Sequence, residues 1–157
     1  MTRLTLRRPK PRAPGSELAS ANRPVLLATL GVPFEDEAAA FAVDTAVESG
    51  ARLIVANCVE LPPLPMSVML GHDQIDLPEV VEAIRAPAQL AQRLGVEVER
   101  VRVKSLRPVE GLLELAAERR PALVVFGPDR ARVSKRLYRK ACRSLRDRLD
   151  CLLWIAD

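Results

Sequence analysis

The chain is poor in the side chains that most often carry chemistry. It holds one histidine, His72, among 157 residues. A lone histidine in a Pro-rich stretch, even with Asp73 and Asp76 nearby, reads as an exposed loop residue rather than a metal ligand. The same scarcity argues against Ser-His-Asp and Cys-His mechanisms, in which imidazole moves the proton. Aromatic residues make up only 3% of the chain, so Leu, Val, Ala and Ile must fill the core. Cysteine is limited to Cys58, Cys142 and Cys151, an odd and widely spaced set without a CxxC pair. That pattern suits a reducing compartment, with each thiol acting as a small buried hydrophobe. No apolar run reaches the length of a membrane span. The opening MTRLTLRRPKPRAPG has charge but no apolar stretch behind it, so no secretory signal is expected and the cytoplasm is the default. No Walker A, GxGxxG or GxSxG motif occurs, and the seven glycines read mostly as turn punctuation.

What is present is an alternation of two patterns. Residues 1–22, with Pro9, Pro11 and Pro14 and the cations Arg3, Arg7, Arg8, Lys10 and Arg12, read as a disordered basic arm. The folded domain is expected over 23–157, the size of one ordinary domain. Short apolar runs bounded by turn residues read as strands buried on both faces: 25–30, 53–59, 122–127 and 151–156. Between them lie helical stretches: Phe34 to Ser49, then from about Asp76 to Leu94, from Pro108 to Pro121, and over most of Arg130–Leu149. In the first, Ala39, Val43, Ala46 and Val47 form the apolar stripe. In the second, Asp76 resembles a cap and Pro87 should kink the helix. Val96, Val98, Val101 and Val103 sit among charged residues, as in a strand near a sheet edge. The order β-α-β-α-β-α-β-α-β implies a parallel sheet with helices on both faces and right-handed crossovers. In such sheets ligands bind beyond the carboxyl ends of the strands, where strand order reverses.

These segments, taken in order, resemble the universal stress protein family. Val25-Leu26-Leu27-Ala28-Thr29-Leu30-Gly31-Val32-Pro33 is similar to the family's opening strand and turn. The run Leu94-Gly95-Val96-Glu97-Val98, then Pro108-Val109-Glu110-Gly111-Leu112-Leu113-Glu114-Leu115-Ala116, resembles its third strand and following helix. Ala122-Leu123-Val124-Val125-Phe126-Gly127 and Cys151-Leu152-Leu153-Trp154-Ile155 resemble its fourth and fifth strands. The resemblance implies a three-layer α/β sandwich of the adenine nucleotide alpha hydrolase-like type (the HUP superfamily), with a five-stranded parallel sheet in the order 3-2-1-4-5. It also implies a stress-response role and a homodimer paired through the last strand, 151–156.

The departures from the family pattern bear on function. ATP-binding members carry Asp after the first strand, where this chain has Leu30. They carry G-x2-G-x9-G-[ST] after the fourth strand. Gly127 is kept, but Arg130 stands at the second glycine, and Lys140 and Ala141 at the final pair. Glycine lets backbone N–H groups approach a phosphate near a helix N-terminus, and a side chain there fills that space. Ala28, Thr29, Leu30, Gly31, Gly127, Arg130, Lys140 and Ala141 are therefore the candidate ligand cleft. The expectation is a non-enzymatic protein without bound ATP or other cofactor and without a metal, acting through protein contacts. The first alternative is a nucleotide or phosphate sensor that uses Arg130 and Lys140 as cations.

A second alternative, an electrostatic nucleic-acid binder, draws on the basic arm over 1–22 and on the basic stretch 130–148, where only Asp147 opposes nine cations. Val133, Leu137, Ala141 and Leu145 recur every four residues and should face the sheet. Arg132, Lys135, Arg136, Arg139 and Arg143 then form a candidate patch for an anionic partner, nucleic acid included. Tyr138 is the only aromatic residue there, so any such binding would be electrostatic rather than by stacking. Leu61, Leu64, Met66, Met69 and Leu70 form an apolar loop that reads as core cover or as a lid.

Overall fold

The computed structural model describes residues 23–61 and 78–156. The arm over 1–22, the loop residues Leu64, Met66, Met69 and Leu70, and His72, Asp73 and Asp76 lie outside the described residues.

Among the described residues nine elements follow in the expected alternation: β1 (Val25–Thr29), α1 (Asp36–Ser49), β2 (Leu53–Glu60), α2 (Pro78–Arg93), β3 (Val98–Ser105), α3 (Pro108–Arg119), β4 (Leu123–Phe126), α4 (Lys135–Arg148) and β5 (Leu152–Ile155). The strands form one sheet in the order β3-β2-β1-β4-β5. Every pairing is parallel. β1, the central strand, is flanked by β2 and β4, and every one of its residues is buried. Burial on both faces is why it reads as an unbroken apolar run.

Period-two alternation sends successive residues to opposite faces. Leu26, Ala28, Ile54, Ala56, Cys58, Val124 and Phe126 pack on one face, with Leu112 and Ala116 of α3 and Ala141, Cys142 and Leu145 of α4. Val25, Leu27, Leu53, Val55, Leu123, Val125 and Trp154 pack on the other, with Ala38, Ala42, Val43 and Ala46 of α1 and Ala88 and Ala91 of α2. Phe41 stacks on Trp154 with ring centroids 5.0 Å apart, closing this second layer near β5.

Four sequence expectations need correction. The buried stripe of α1 is Ala38, Ala42, Val43 and Ala46, whereas Val47 is exposed. The helix is turned so that Ala38 meets Gly127, a contact that periodicity cannot register. Phe34 lies outside α1 and makes an isolated antiparallel bridge to Pro128. α4 begins at Lys135, because Ser134 caps it: the Ser134 Oγ accepts the Leu137 N–H at 3.2 Å. Cys58 and Cys142 are buried thiols, but Cys151, at the start of the edge strand, is half-exposed. Pro87 lies inside α2, as expected.

Candidate functional site

The strand order reverses at β1 and β4, so the loops leaving their carboxyl ends form the crevice where this fold class binds ligands. The first loop begins at Thr29. Its Oγ1 donates to the Val32 carbonyl at 2.7 Å, tightening the turn. Gly31 follows with φ +71°, a left-handed conformation that glycine adopts without strain. Its N–H donates to Asn57 Oδ1 at 2.8 Å, which ties the turn to β2.

The second loop is joined to the first. The Glu35 N–H donates to the Gly127 carbonyl at 2.9 Å, and the Asp129 N–H donates to the Pro33 carbonyl at 2.8 Å. Glu35 is the N-cap residue of α1, yet its side chain makes no cap bond to that helix. Its Oε1 instead accepts the Arg130 N–H at 3.0 Å. A carboxylate therefore occupies the backbone donor at the second-glycine position. Arg132 Nε lies 3.5 Å from Asp129 Oδ2, and the Asp129 Oδ1 also accepts the Ala131 N–H at 3.0 Å.

The cleft residues read from the sequence divide into two groups. Ala28, Thr29, Leu30 and Ala141 are buried. Leu30, at the family's Asp position, shares an apolar cluster with Val109, Leu113, Phe126 and Ala141. Gly127 has a packing role: a Cβ there would sit 2.1 Å from the Ala38 Cβ. Arg130 and Lys140 are exposed and point to different hollows. The Arg130 guanidinium lies 5.2 Å from the centre of the Tyr138 ring, a cation–π contact. Lys140 lines a separate hollow of about 440 Å³ with Glu60, Arg107 and Glu110. Among the described residues the two cations line separate hollows.

The basic patch also divides. Arg139, Arg143 and Arg146 line one hollow of about 540 Å³ together with Arg130, Tyr138, Ile155 and Ala156. Arg132 lines a different one, between α1 and α2. Lys135 and Arg136 are exposed at the start of α4. Arg148, at the far end, is held by Glu110 of α3, and this pairing draws the Glu110 carboxyl below its ordinary range. The Cys142 thiol is pushed up by burial, partly offset by its hydrogen bond with Tyr138.

Two contributors were not found from sequence. Asn57 lies in β2, where it reads as one polar residue in a buried strand. Glu35 reads as a dipole-matched charge at the start of α1, and its partner is 95 residues away. No local signal announces either contact.

Among the described residues no helix is long and apolar enough to cross a membrane. No curated protein matches the chain. Several solved structures share its fold. Universal stress protein UspA from Lactobacillus plantarum is 14% identical, with a TM-score of 0.64, covering 86% of this chain and 97% of its own. The universal stress protein from Archaeoglobus fulgidus, solved in complex with dAMP, is 16% identical with a TM-score of 0.61, covering 87% and 99%. A universal stress protein family protein from Arabidopsis thaliana with AMP bound is 10% identical with a TM-score of 0.57, covering 85% and 90%. At these identities the likeness concerns the fold alone. A sequence profile of the universal stress protein family matches residues 21–155, nearly the whole chain, and on that match the chain belongs to the universal stress protein family.

Proposed function

We propose that this universal stress protein works through protein contacts and not through bound ATP, and that it is not an enzyme. The observation that carries this reading is the Glu35 carboxylate on the Arg130 N–H. An arriving phosphate would meet a negative charge where the ATP-binding pattern offers a free amide. Two unit charges about 4 Å apart and open to water repel by roughly 1 kcal/mol, about fivefold in affinity. Leu30 and Ala141 support the reading, since they fill the crevice with apolar side chains in place of a carboxylate and a hydroxyl.

The contact surface proposed is the open edge of β5, where a second copy would pair through residues 151–156 in a homodimer. Buried free thiols at Cys58 and Cys142 fit a cytoplasmic setting. The alternative is a nucleotide sensor. It draws on relatives described with dAMP and AMP bound and would use Arg130 as a cation.

Calorimetric titration with ATP and magnesium, at low and at moderate salt, separates the two. No heat at moderate salt is the expected result. Heat with a micromolar constant that survives moderate salt would replace this reading with the sensor.

A further inference from the structure

The two helical layers of the fold carry unlike charge. On one face of the sheet, α1 has four charged residues, Asp36, Glu37, Asp44 and Glu48, and all are acids. On the other face, α4 has Lys or Arg at seven positions and a single acid, Asp147. A molecule polarised across its sheet in this way draws a polyanion to one side and turns the other side from it.

The cations of α4 are ordered along the helix. At about 100° of rotation per residue, Lys135, Arg136, Arg139, Arg143 and Arg146 fall within one arc of about 100°. All five are exposed. Ala141, Cys142 and Leu145 are turned to the sheet instead. Fourteen helical residues make this cationic face about 21 Å long. Lys135, Arg136, Arg139 and Arg143 have no salt-bridge partner among the described residues. Arg148 lies outside the arc and is taken by Glu110.

We propose that the outer face of α4 docks duplex DNA through its phosphates, without readout of the bases. Protein interfaces are built around apolar and aromatic anchors, and none stands on this face. The exposed large apolar side chains among the described residues are Val47, Leu90, Leu94 and Leu106, all away from α4. A row of cations without an anchor suits a partner held by neutralised phosphates and released counterions. Guanidinium meets phosphate in a two-pronged geometry. Single strands are gripped by stacking their bases on aromatic rings. Tyr138 offers no such platform, because its ring is stacked on Phe126 and its hydroxyl donates to the Ala156 carbonyl. Duplex RNA is met through its 2′-hydroxyls, and the arc holds no Ser, Thr, Asn or Gln to meet them. A membrane surface needs an apolar helix face to enter it, and that face of α4 is spent on the sheet. The docking surface goes beyond the protein-contact reading and does not depend on it. It leaves out the edge over 151–156 proposed for a second copy.

The test is fluorescence anisotropy of a labelled 20-base-pair DNA duplex with the full chain, between about 50 and 200 mM salt. Binding should fall with salt at a log–log slope near −3.6, as for about four neutralised phosphates. Arg139→Gln/Arg143→Gln should lower the steepness by about 2 and weaken binding about tenfold at low salt, at unchanged helix content and sedimentation. Arg139→Lys/Arg143→Lys, which keeps the charge, should retain most of the slope. Duplexes of unrelated sequence should bind within about threefold of one another, since phosphate contacts carry no sequence information. Affinity and slope unmoved by the Gln pair would overturn the surface. A slope lost in Arg3→Ser/Arg7→Ser/Arg8→Ser but kept in the Gln pair would assign the binding to the N-terminal arm and overturn α4. Tighter binding of single-stranded DNA, of duplex RNA or of a poly-Glu peptide would overturn the choice of partner.

Discussion

Gly127 shows how one residue can keep a family position for another reason. A side chain there would meet the Ala38 Cβ at 2.1 Å, a separation that forces α1 away from the sheet. Gly127→Ala should therefore destabilise the protein by about 1–3 kcal/mol, the usual range for overpacking. Chemical denaturation reads the shift, and an unchanged midpoint would show that α1 yields at no cost. Individual residues were unequally legible in the sequence. Leu30, Arg130, Lys140 and Ala141 could be read as departures from the ATP-binding pattern, because a changed residue type at a motif position is visible in one dimension. The reason Gly127 remains was not legible, since Ala38 is far from it along the chain. Glu35 was hidden for the same reason: its acceptor role exists only once the β1 and β4 loops lie side by side.

At the scale of elements, the Tyr138 side chain ties α4 to the end of β5. The Tyr138 hydroxyl donates to the Ala156 carbonyl at 2.7 Å. Its ring stacks on Phe126 at 5.9 Å between centroids and carries the Arg130 guanidinium on its other contact. Tyr138→Phe keeps the ring but leaves the buried Ala156 carbonyl without this donor. A loss of about 1–2 kcal/mol is expected, read as a lowered urea midpoint with unchanged slope. No loss would mean that solvent replaces the hydroxyl. Element types were legible from apolar runs and their bounding Gly and Pro residues. Helix ends and faces were less so. The start of α4 depended on Ser134, a cap that sits inside a run of charged residues, and the buried face of α1 depended on which strand it met.

For the whole molecule, alternation of strands and helices pointed to a parallel sheet, but the order β3-β2-β1-β4-β5 came from family resemblance. Periodicity is local and carries no information on which strands become neighbours. The core that results is sealed enough to raise the Cys58 thiol from 9.0 to about 12, by burial. A thiol that stays protonated in the fold but ionises when unfolded stabilises the fold fully below pH 9.0. That contribution fades as pH rises toward 12. By pH 10 the loss should reach about 1 kcal/mol, on the scale of 1.36 kcal/mol per pKa unit. Urea midpoints at pH 8 and pH 10 should therefore converge in Cys58→Ala relative to the unsubstituted protein. An equal fall in both would assign the alkaline loss to other groups.

The unlike edges of the sheet also set a limit on growth. A chain with two adhesive edges can add copies at either end and build a fibre, whereas closure requires that each copy offer one site only. Here β3 carries Glu99, Arg100, Arg102 and Lys104, whereas Leu152–Ile155 of β5 carry no charge and, among the described residues, pair with β4 alone. Any association through strand addition therefore stops at two partners per seam, and concentration alone cannot extend it into a filament.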